Sequence, residues 1–355
     1  MAATPILKSP YPYFGGKAPV AAEIWRRLGD PKIYVEPFFG SGAVWLARPT
    51  VDPDRHLERV NDLHGFIPNF WRAVQHDPEQ VARWATNPAF ECDLHARHLW
   101  IVNHTGGLSE RLMADPDYYD AKIAGWWVWG ISWWIGSGWC SGEGGWIAHE
   151  GRLVRRETLS GAGESVSKKR PHSTNAGRGI NRRLPHANLG QGINRQNTDL
   201  IAYFEALQQR MHRGVWAACG DWRRVLKPAV AWGLNDNNPE LTGIVLDPPY
   251  VHAGRYTRVY QNDHPHLAGE GRQWAIENGD NPNLRIAYCG YSEPDTDAAF
   301  AAAGWAVHAW KTQGGYGNNR RNEKNENKHR ERVWFSPHCV RVDRMKQRSL
   351  FEEEG

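Results

Sequence analysis

The stretch Ile244-Val245-Leu246-Asp247-Pro248-Pro249-Tyr250 decides how this chain is read. A short apolar run bounded by turn formers predicts a buried strand, and it ends on a carboxylate, two prolines and an aromatic ring. Proline fixes φ and biases its predecessor away from helix, so the corner is stiff and the Pro248 carbonyl has a set direction. An aromatic exocyclic amine is a poor nucleophile because its lone pair is spread into the ring. Two acceptors, one per N–H, draw that lone pair toward an attacking geometry; the Asp247 carboxylate and the Pro248 carbonyl are suited to the task. Tyr250 adds a flat face for a stacked base, worth roughly 1–3 kcal/mol per base. A proline-rich surface turn with an exposed tyrosine accounts for the same residues without chemistry.

Working outward, Lys32-Ile33-Tyr34-Val35-Glu36 reads as a strand, Pro37-Phe38-Phe39-Gly40-Ser41-Gly42 as a turn, and Ala43 to Ala47 as a helix. Strand, glycine turn and helix make up a doubly wound nucleotide-binding unit, with the ligand at the carboxyl ends of the strands. The glycine spacing departs from the dinucleotide fingerprint, which argues against NAD or FAD. Arg59-Val60-Asn61-Asp62 ends a second strand on an acid some way further on, a spacing that suits a carboxylate facing ribose hydroxyls. Asp62 as the N-cap of a helix over Leu63–Val74 fits the spacing equally well. Further helices are predicted near Ala18–Leu28, Gly65–Val74, Pro78–Ala85 and Asp295–Ala303, and strands at Val215–Cys219, Leu284–Cys289 and Trp305–Trp310.

Tyr13-Phe14-Gly15-Gly16-Lys17, Glu36 to Gly42, Asn61-Asp62 and Asp247-Pro248-Pro249-Tyr250, in that order and spacing, resemble the Dam-like family of DNA adenine N6-methyltransferases. Glu331-Arg332-Val333-Trp334-Phe335-Ser336 is similar to that family's last sheet strand. The resemblance implies an α/β fold, a Rossmann-like sheet carrying an inserted, mainly helical and loop target-recognition domain. It implies S-adenosylmethionine as cofactor and a flipped adenine in double-stranded DNA as substrate. Carried over by position, Tyr13, Gly15 and Lys17 hold the amino-acid end of the cofactor, with Lys17 facing its carboxylate as a point charge. Glu36, Phe38, Phe39, Gly40 and Gly42 form the cofactor floor, and Asp62 binds the ribose. Asp221 and Trp222 lie where the family contacts the cofactor's adenine; a core tryptophan beside a helix-capping aspartate is the alternative. Asp247, Pro248, Pro249 and Tyr250 are the catalytic set. Cytosine N4 is the rival substrate, and a non-catalytic DNA-binding module on the same fold is the rival class.

The expected organisation is residues 1–90 for the first half of the catalytic domain, 91–198 for the insertion, 199–340 for the second half and 341–355 for a charged tail. Net charge is +4 overall, but residues 152–195 alone carry +8, an asymmetry that marks polyanion binding. Within that segment Lys168, Lys169 and Arg170 suit phosphate contact. The loosely repeated Gly177-Arg178-Gly179-Ile180-Asn181-Arg182 (with Arg183) and Gly190-Gln191-Gly192-Ile193-Asn194-Arg195 carry the side chains that read base edges. Arg255 and Arg258, in the loop after the catalytic corner, are placed to close over an extruded nucleotide. A solvated basic linker is the bland reading of these segments.

Six tryptophans fall between Trp126 and Trp139; Trp126, Trp129 and Trp133 share one face of a predicted helix and Trp127 and Trp134 a neighbouring one. Most are expected to form the core of the small inserted domain, with one or two near the Gly136–Gly145 loop as the alternative contacts to DNA or the flipped base. No uninterrupted apolar run approaches membrane-spanning length and no leader pattern opens the chain, so a cytoplasmic protein with no membrane association is expected. The 5 cysteines form no C-x-x-C pair, and His95/His98 and His264/His266 lack ligand partners, so no metal is expected and surface or hydrogen-bonded histidines are. A monomer is expected.

Overall fold

The computed structural model describes residues 7–13, 15–86, 90–134, 139–140, 146–149, 152–155, 193, 199–228, 239–249, 266–310 and 330–341. Strands β1 (Ile33–Glu36) and β6 (Thr242–Leu246) are buried at every position, as expected of parallel strands covered on both faces. They pair in parallel at the centre of a seven-stranded sheet, Ile33 opposite Thr242 and Val35 opposite Ile244. Outward from β1 lie β2 (Leu57–Asp62) and β5 (Val215–Cys219); outward from β6 lies β7 (Leu284–Tyr291). Beyond β7, β9 (Glu331–Phe335) slots in antiparallel between β7 and the edge strand β8 (Ala306–Ala309). Strand order therefore reverses between β1 and β6, and a crevice opens outside their carboxyl ends.

Alternate residues along each strand feed two cores. One face packs Tyr34, Val60, Val245, Ala287, Val333 and Phe335 beneath helices α1 (Ala21–Leu28), α2 (Ala43–Leu46), α3 (Phe66–His76), α4 (Pro78–Ala85) and α8 (Leu200–Arg210). The other packs Val35, Ile244, Leu246, Ile286 and Trp334 beneath a 3-10 turn (Trp222–Leu226), α9 (Leu267–Asn278) and α10 (Pro294–Ala302). In α1 the buried residues Ala21, Ile24, Trp25 and Leu28 recur at helical spacing, so one stripe faces the sheet. The helix begins three residues later than expected, at Ala21. Among the described residues no helix is long and apolar enough to cross a membrane.

Two expectations for the interval after residue 90 are corrected. The first concerns the tryptophan helix, α7 (Ala121–Trp133), which does not form the core of a separate small unit but packs on α3 and α4 of the catalytic half. Its start is clamped by Asn69 of α3, whose Nδ2 donates to the Asp120 carbonyl at 3.0 Å while its Oδ1 accepts from the Asp120 N–H at 2.9 Å. Trp127 packs edge-on to Tyr11 at 4.7 Å and stacks on Phe66 at 5.9 Å. At Gly125 a Cβ would lie 2.4 Å from Trp84 Cβ and 2.7 Å from the Val81 carbonyl oxygen, so only glycine allows α7 this close to α4. Trp84, Trp100 and Trp126 surround the Lys122 ammonium, 5.5, 4.2 and 4.4 Å from it, a cation held by aromatic faces across α4, α5 (Glu91–His104) and α7.

The second correction is a hairpin, β3 (Trp146–His149) with β4 (Arg152–Arg155), in an interval that carries few strand signals. Four-residue strands are too short for a period-2 pattern to stand out. The described part of this interval also contains α5 and α6 (Leu108–Ala114). His98 is hydrogen-bonded as expected, Nδ1 accepting from the Cys140 N–H at 3.1 Å, with its ring stacked on Trp134.

Candidate active site

A cavity of about 230 Å³ occupies the crevice at the strand-order reversal, room for a ligand rather than a few waters. Four strand ends build it. After β1, the turn from Pro37 to Gly42 is tied down by its neighbours: the Phe39 N–H donates to the Asn61 carbonyl, the Gly40 N–H to Asp62 Oδ2, and the Tyr11 hydroxyl to the Gly40 carbonyl at 2.8 Å. Gly40 has φ +49°, and a Cβ there would lie 2.7 Å from the Tyr13 ring, so this turn needs glycine. After β2, Asp62 accepts a second backbone N–H, from His64 at 2.9 Å. Helix α3 itself starts only at Phe66, with Gly65 as its N-cap, so Asp62 does not cap that helix. After β5, Asp221 caps the 3-10 turn by accepting from the Arg223 N–H at 2.9 Å, and Trp222 is buried against Phe38. The capping and lining readings of this pair both hold, since both residues also face the cavity. After β6 comes the Asp247-Pro248-Pro249 corner.

Of the residues expected in the site, Tyr13, Gly15, Lys17, Glu36, Phe38, Phe39, Gly40, Asp62, Asp221, Trp222, Asp247, Pro248 and Pro249 all line this one cavity. Gly42 does not; it is the left-handed N-cap of α2. Tyr250, Lys168, Lys169, Arg170, Arg178, Asn181, Arg182, Arg183, Asn194, Arg195, Arg255 and Arg258 lie outside the described residues. Several lining residues carried no expectation: His64, Leu63 and Leu267. Leu63 is an exposed leucine whose apolar surface faces the cavity. Asn61, adjacent to Asp62, was quoted without a role; its Nδ2 donates to the carbonyls of Pro37 at 3.0 Å and Gly220 at 2.9 Å, stapling the β1 and β5 exits together. No local pattern marks that function, because its partners are distant backbone oxygens.

Lys17 has protein partners for which the sequence carried no expectation. Its ammonium pairs with Asp247 at 2.9 Å and donates to the Gly15 carbonyl at 2.5 Å, so it meets the carboxylate of the diproline corner. The side chain is 3% exposed, and an ion buried to that degree demands a counter-ion. Burial alone would lower the Lys17 ammonium, but Asp247, with Cys289 and Glu331 adding, raises it above the ordinary lysine value. Burial pushes the Glu36 carboxyl well up, and the charges of Asp247, Asp62 and Glu58 add to it, against the hydrogen bond it accepts from the Tyr34 hydroxyl at 2.8 Å. Asp62 is raised to about 6 by burial despite its backbone donors, and burial lowers His64 to about 4, leaving that ring neutral near pH 7.

These groups suit a nucleoside-bearing cation. Acids outnumber the single lysine in the lining, glycine backbone leaves room at the turn, and buried polar atoms without protein partners remain at the wall: Asn61 Oδ1, His64 Nδ1 and Trp222 Nε1. Among the described residues no group of three or more His, Cys, Asp or Glu is arranged to hold a metal ion.

A doubly wound sheet with an antiparallel strand slotted beside its edge, and a carboxylate–diproline corner in the crevice, defines a Rossmann-like methyltransferase. Residues 13–99 match the family model of the D12 class N6 adenine-specific DNA methyltransferases, a match consistent with a Dam-like adenine methyltransferase. Comparison with curated protein sequences found no match. The reaction is methylation of adenine N6 in DNA; nothing favours cytosine N4 or a non-catalytic role.

Proposed function

We propose that the cavity binds S-adenosylmethionine and that the Asp247–Pro248 corner holds the amine of an adenine extruded from double-stranded DNA. The observation that carries this is the shared cavity: the corner and the ribose-suited Asp62 line one space at neighbouring strand ends. When bound, the cofactor supplies a methyl group on a positively charged sulfur. The chain's own part is to position and desolvate. Asp62 receives ribose hydroxyls on a carboxylate already oriented by the Gly40 and His64 N–H groups. Lys17 fixes Asp247 so that its carboxylate and the Pro248 carbonyl accept the two N–H groups of the adenine amine. Tyr250 supplies the stacking face, which helps to offset the few kcal/mol that base extrusion costs.

The +8 segment over 152–195 supports DNA contact by Lys168 to Arg170 and by the two glycine–arginine repeats, with the chain acting as a monomer. Incubating duplex DNA with labelled S-adenosylmethionine, digesting it and separating nucleosides tests the whole reading. Label in N6-methyladenosine is expected; label in N4-methylcytosine, or none in DNA, overturns it.

Cofactor affinity should depend on pH through Asp62. Ribose hydroxyls need the ionised carboxylate, whose proton leaves near pH 6 in the empty protein. Binding draws on the ionised form, so affinity is level above that value and falls by up to about tenfold per pH unit below it. Calorimetric titration with S-adenosylhomocysteine from pH 5 to 8, on the order of these values, checks this; a flat profile removes Asp62 from the ribose.

A further inference from the structure

On the reading that the Asp247–Pro248 corner holds an adenine amine, we propose that Glu331 is a second positioning residue for methyl transfer. Its carboxylate balances Lys17, so that the Asp247 carboxylate faces the amine with its charge uncancelled. Alternate residues of a strand share a face. Tyr34, Val60, Val245, Ala287 and Val333 all enter the core beneath α1 and α3. Glu36, Asp62, Asp247, Cys289 and Glu331 lie two positions from them, on that same face. Because β9 runs antiparallel, its first residue, Glu331, pairs with Tyr291 at the carboxyl end of β7. Strand order then sets one row along the carboxyl edge: Asp62, Glu36, Asp247, Cys289, Glu331. Lys17 is the cation laid against this row. It pairs with Asp247 at 2.9 Å, and the charge of Glu331 acts on it from two strands further along the sheet.

Glu331 differs from the other members of the row. Glu36, Asp62 and Asp247 line the cavity and so face its ligand; Glu331 does not line it and reaches the reaction through Lys17. Burial and the surrounding acids push the Cys289 thiol well up, so it stays uncharged. Glu331 is 7% exposed, and a carboxylate so buried keeps its charge only beside a cation. The arginines next to it in sequence are directed elsewhere. Arg330 reaches Glu293 at 3.5 Å and the Ser292 carbonyl at 3.3 Å, and alternation puts Arg332 on the opposite face.

Methyl transfer moves positive charge from the donor's sulfur to adenine N6: the N6–carbon bond forms, the carbon–sulfur bond breaks with its pair going to sulfur, and N6 then loses a proton to water. Lys17 and Asp247 alone make a neutral corner. With Glu331, two carboxylates and one ammonium leave a net negative charge beside the atom that becomes cationic. Preorganised charge aimed at where charge develops lowers the barrier. Two strand spacings amount to about 10 Å. At an effective dielectric of about 20, a unit charge at that range is worth roughly tenfold in rate.

The test uses the full chain, duplex DNA and saturating S-adenosylmethionine. Glu331→Gln, which keeps the shape and removes the charge, should slow single-turnover transfer about tenfold. Calorimetric affinity for S-adenosylhomocysteine should stay within about twofold of wild type. In a Lys17→Met background the same substitution should change nothing, because a buried Glu331 deprived of its cation takes up a proton and is already neutral. The drop in urea midpoint that Glu331→Gln causes should vanish in that background too, a readout that needs no loaded enzyme. A residue that only props β9 would slow transfer and lower the midpoint alike with and without Lys17, and that result overturns the proposal. So does an unchanged rate in Glu331→Gln, or a loss that falls on S-adenosylhomocysteine affinity instead. Wild type that puts no methyl on adenine N6 refutes the reading of the corner itself, a separate outcome.

Discussion

Replacing Asp247 by asparagine is expected to slow methyl transfer by about 10²–10³-fold, the scale seen when one preorganised polar contact to a reacting group is removed. Asparagine keeps the shape of the corner but offers a neutral, weaker acceptor to the amine. Binding of S-adenosylhomocysteine in the same variant should change little, because the proposed ribose and base contacts lie on other strand ends. Single-turnover transfer of labelled methyl and calorimetric titration separate the two effects. Equal collapse of both would mean that Asp247 maintains the cavity rather than the chemistry. Alanine is the poorer probe, since it strands the Lys17 ammonium, paired with Asp247 at 2.9 Å, in a buried site. On the proposed mechanism Lys17 acts through this pairing as a positioning residue. Lys17→Met combined with Asp247→Asn should therefore be no slower than the worse single variant. Additive losses would return Lys17 to a separate role on the cofactor.

Glu58→Gln is expected to cost about 3–5 kcal/mol of stability, the usual penalty for breaking a buried ion network from one side. Glu58 has no exposed surface and accepts from Trp45 Nε1 at 2.6 Å, Arg48 Nη1 at 3.0 Å, and Arg210 Nη1 at 2.6 Å and Nη2 at 2.9 Å. One carboxylate thus ties β2 to α2 and α8. Urea unfolding should show a lower midpoint at unchanged slope. Transfer per folded molecule should stay at the wild-type rate, because Glu58 stands at the opposite end of β2 from Asp62. Burial alone would raise the Glu58 carboxyl, but His212, Arg210 and Arg48 outweigh it and hold it far below the carboxylate range. With the folded value depressed, the contribution is fully present above the unfolded value of about 4.3 and is lost as pH falls below it toward the folded one. A wild type that keeps its full stability into strong acid would discard the network as a source of stability.

What was legible in the sequence follows from where the information lies. The Asp247 corner, the glycine turn after Glu36 and the acid ending β2 are contiguous signals whose chemistry and backbone geometry are written in adjacent residues. They converge on one cavity because parallel strands bring their carboxyl ends together. Lys17's protein partner was not legible: a lysine suits any anion, and only the packed fold brings Asp247 to it. The Glu58 network draws on Arg48, Arg210 and His212, with nothing local to link them. The tryptophans of α7 were recognisable as core, but a helix apolar on most sides does not say which neighbour it enters, and the Asn69–Asp120 clamp that decides it joins positions 51 residues apart.

That clamp sets where the protein can be cut and rejoined. A chimera that imports a foreign recognition segment with its seam near residue 90 would discard α7 and unroof the aromatic bed of Tyr11, Phe66 and Phe70. A seam placed after Trp134 leaves that bed intact. A segment exchange that spares the bed therefore has its first seam after Trp134, ahead of the stretch that contains the most cationic part of the sequence.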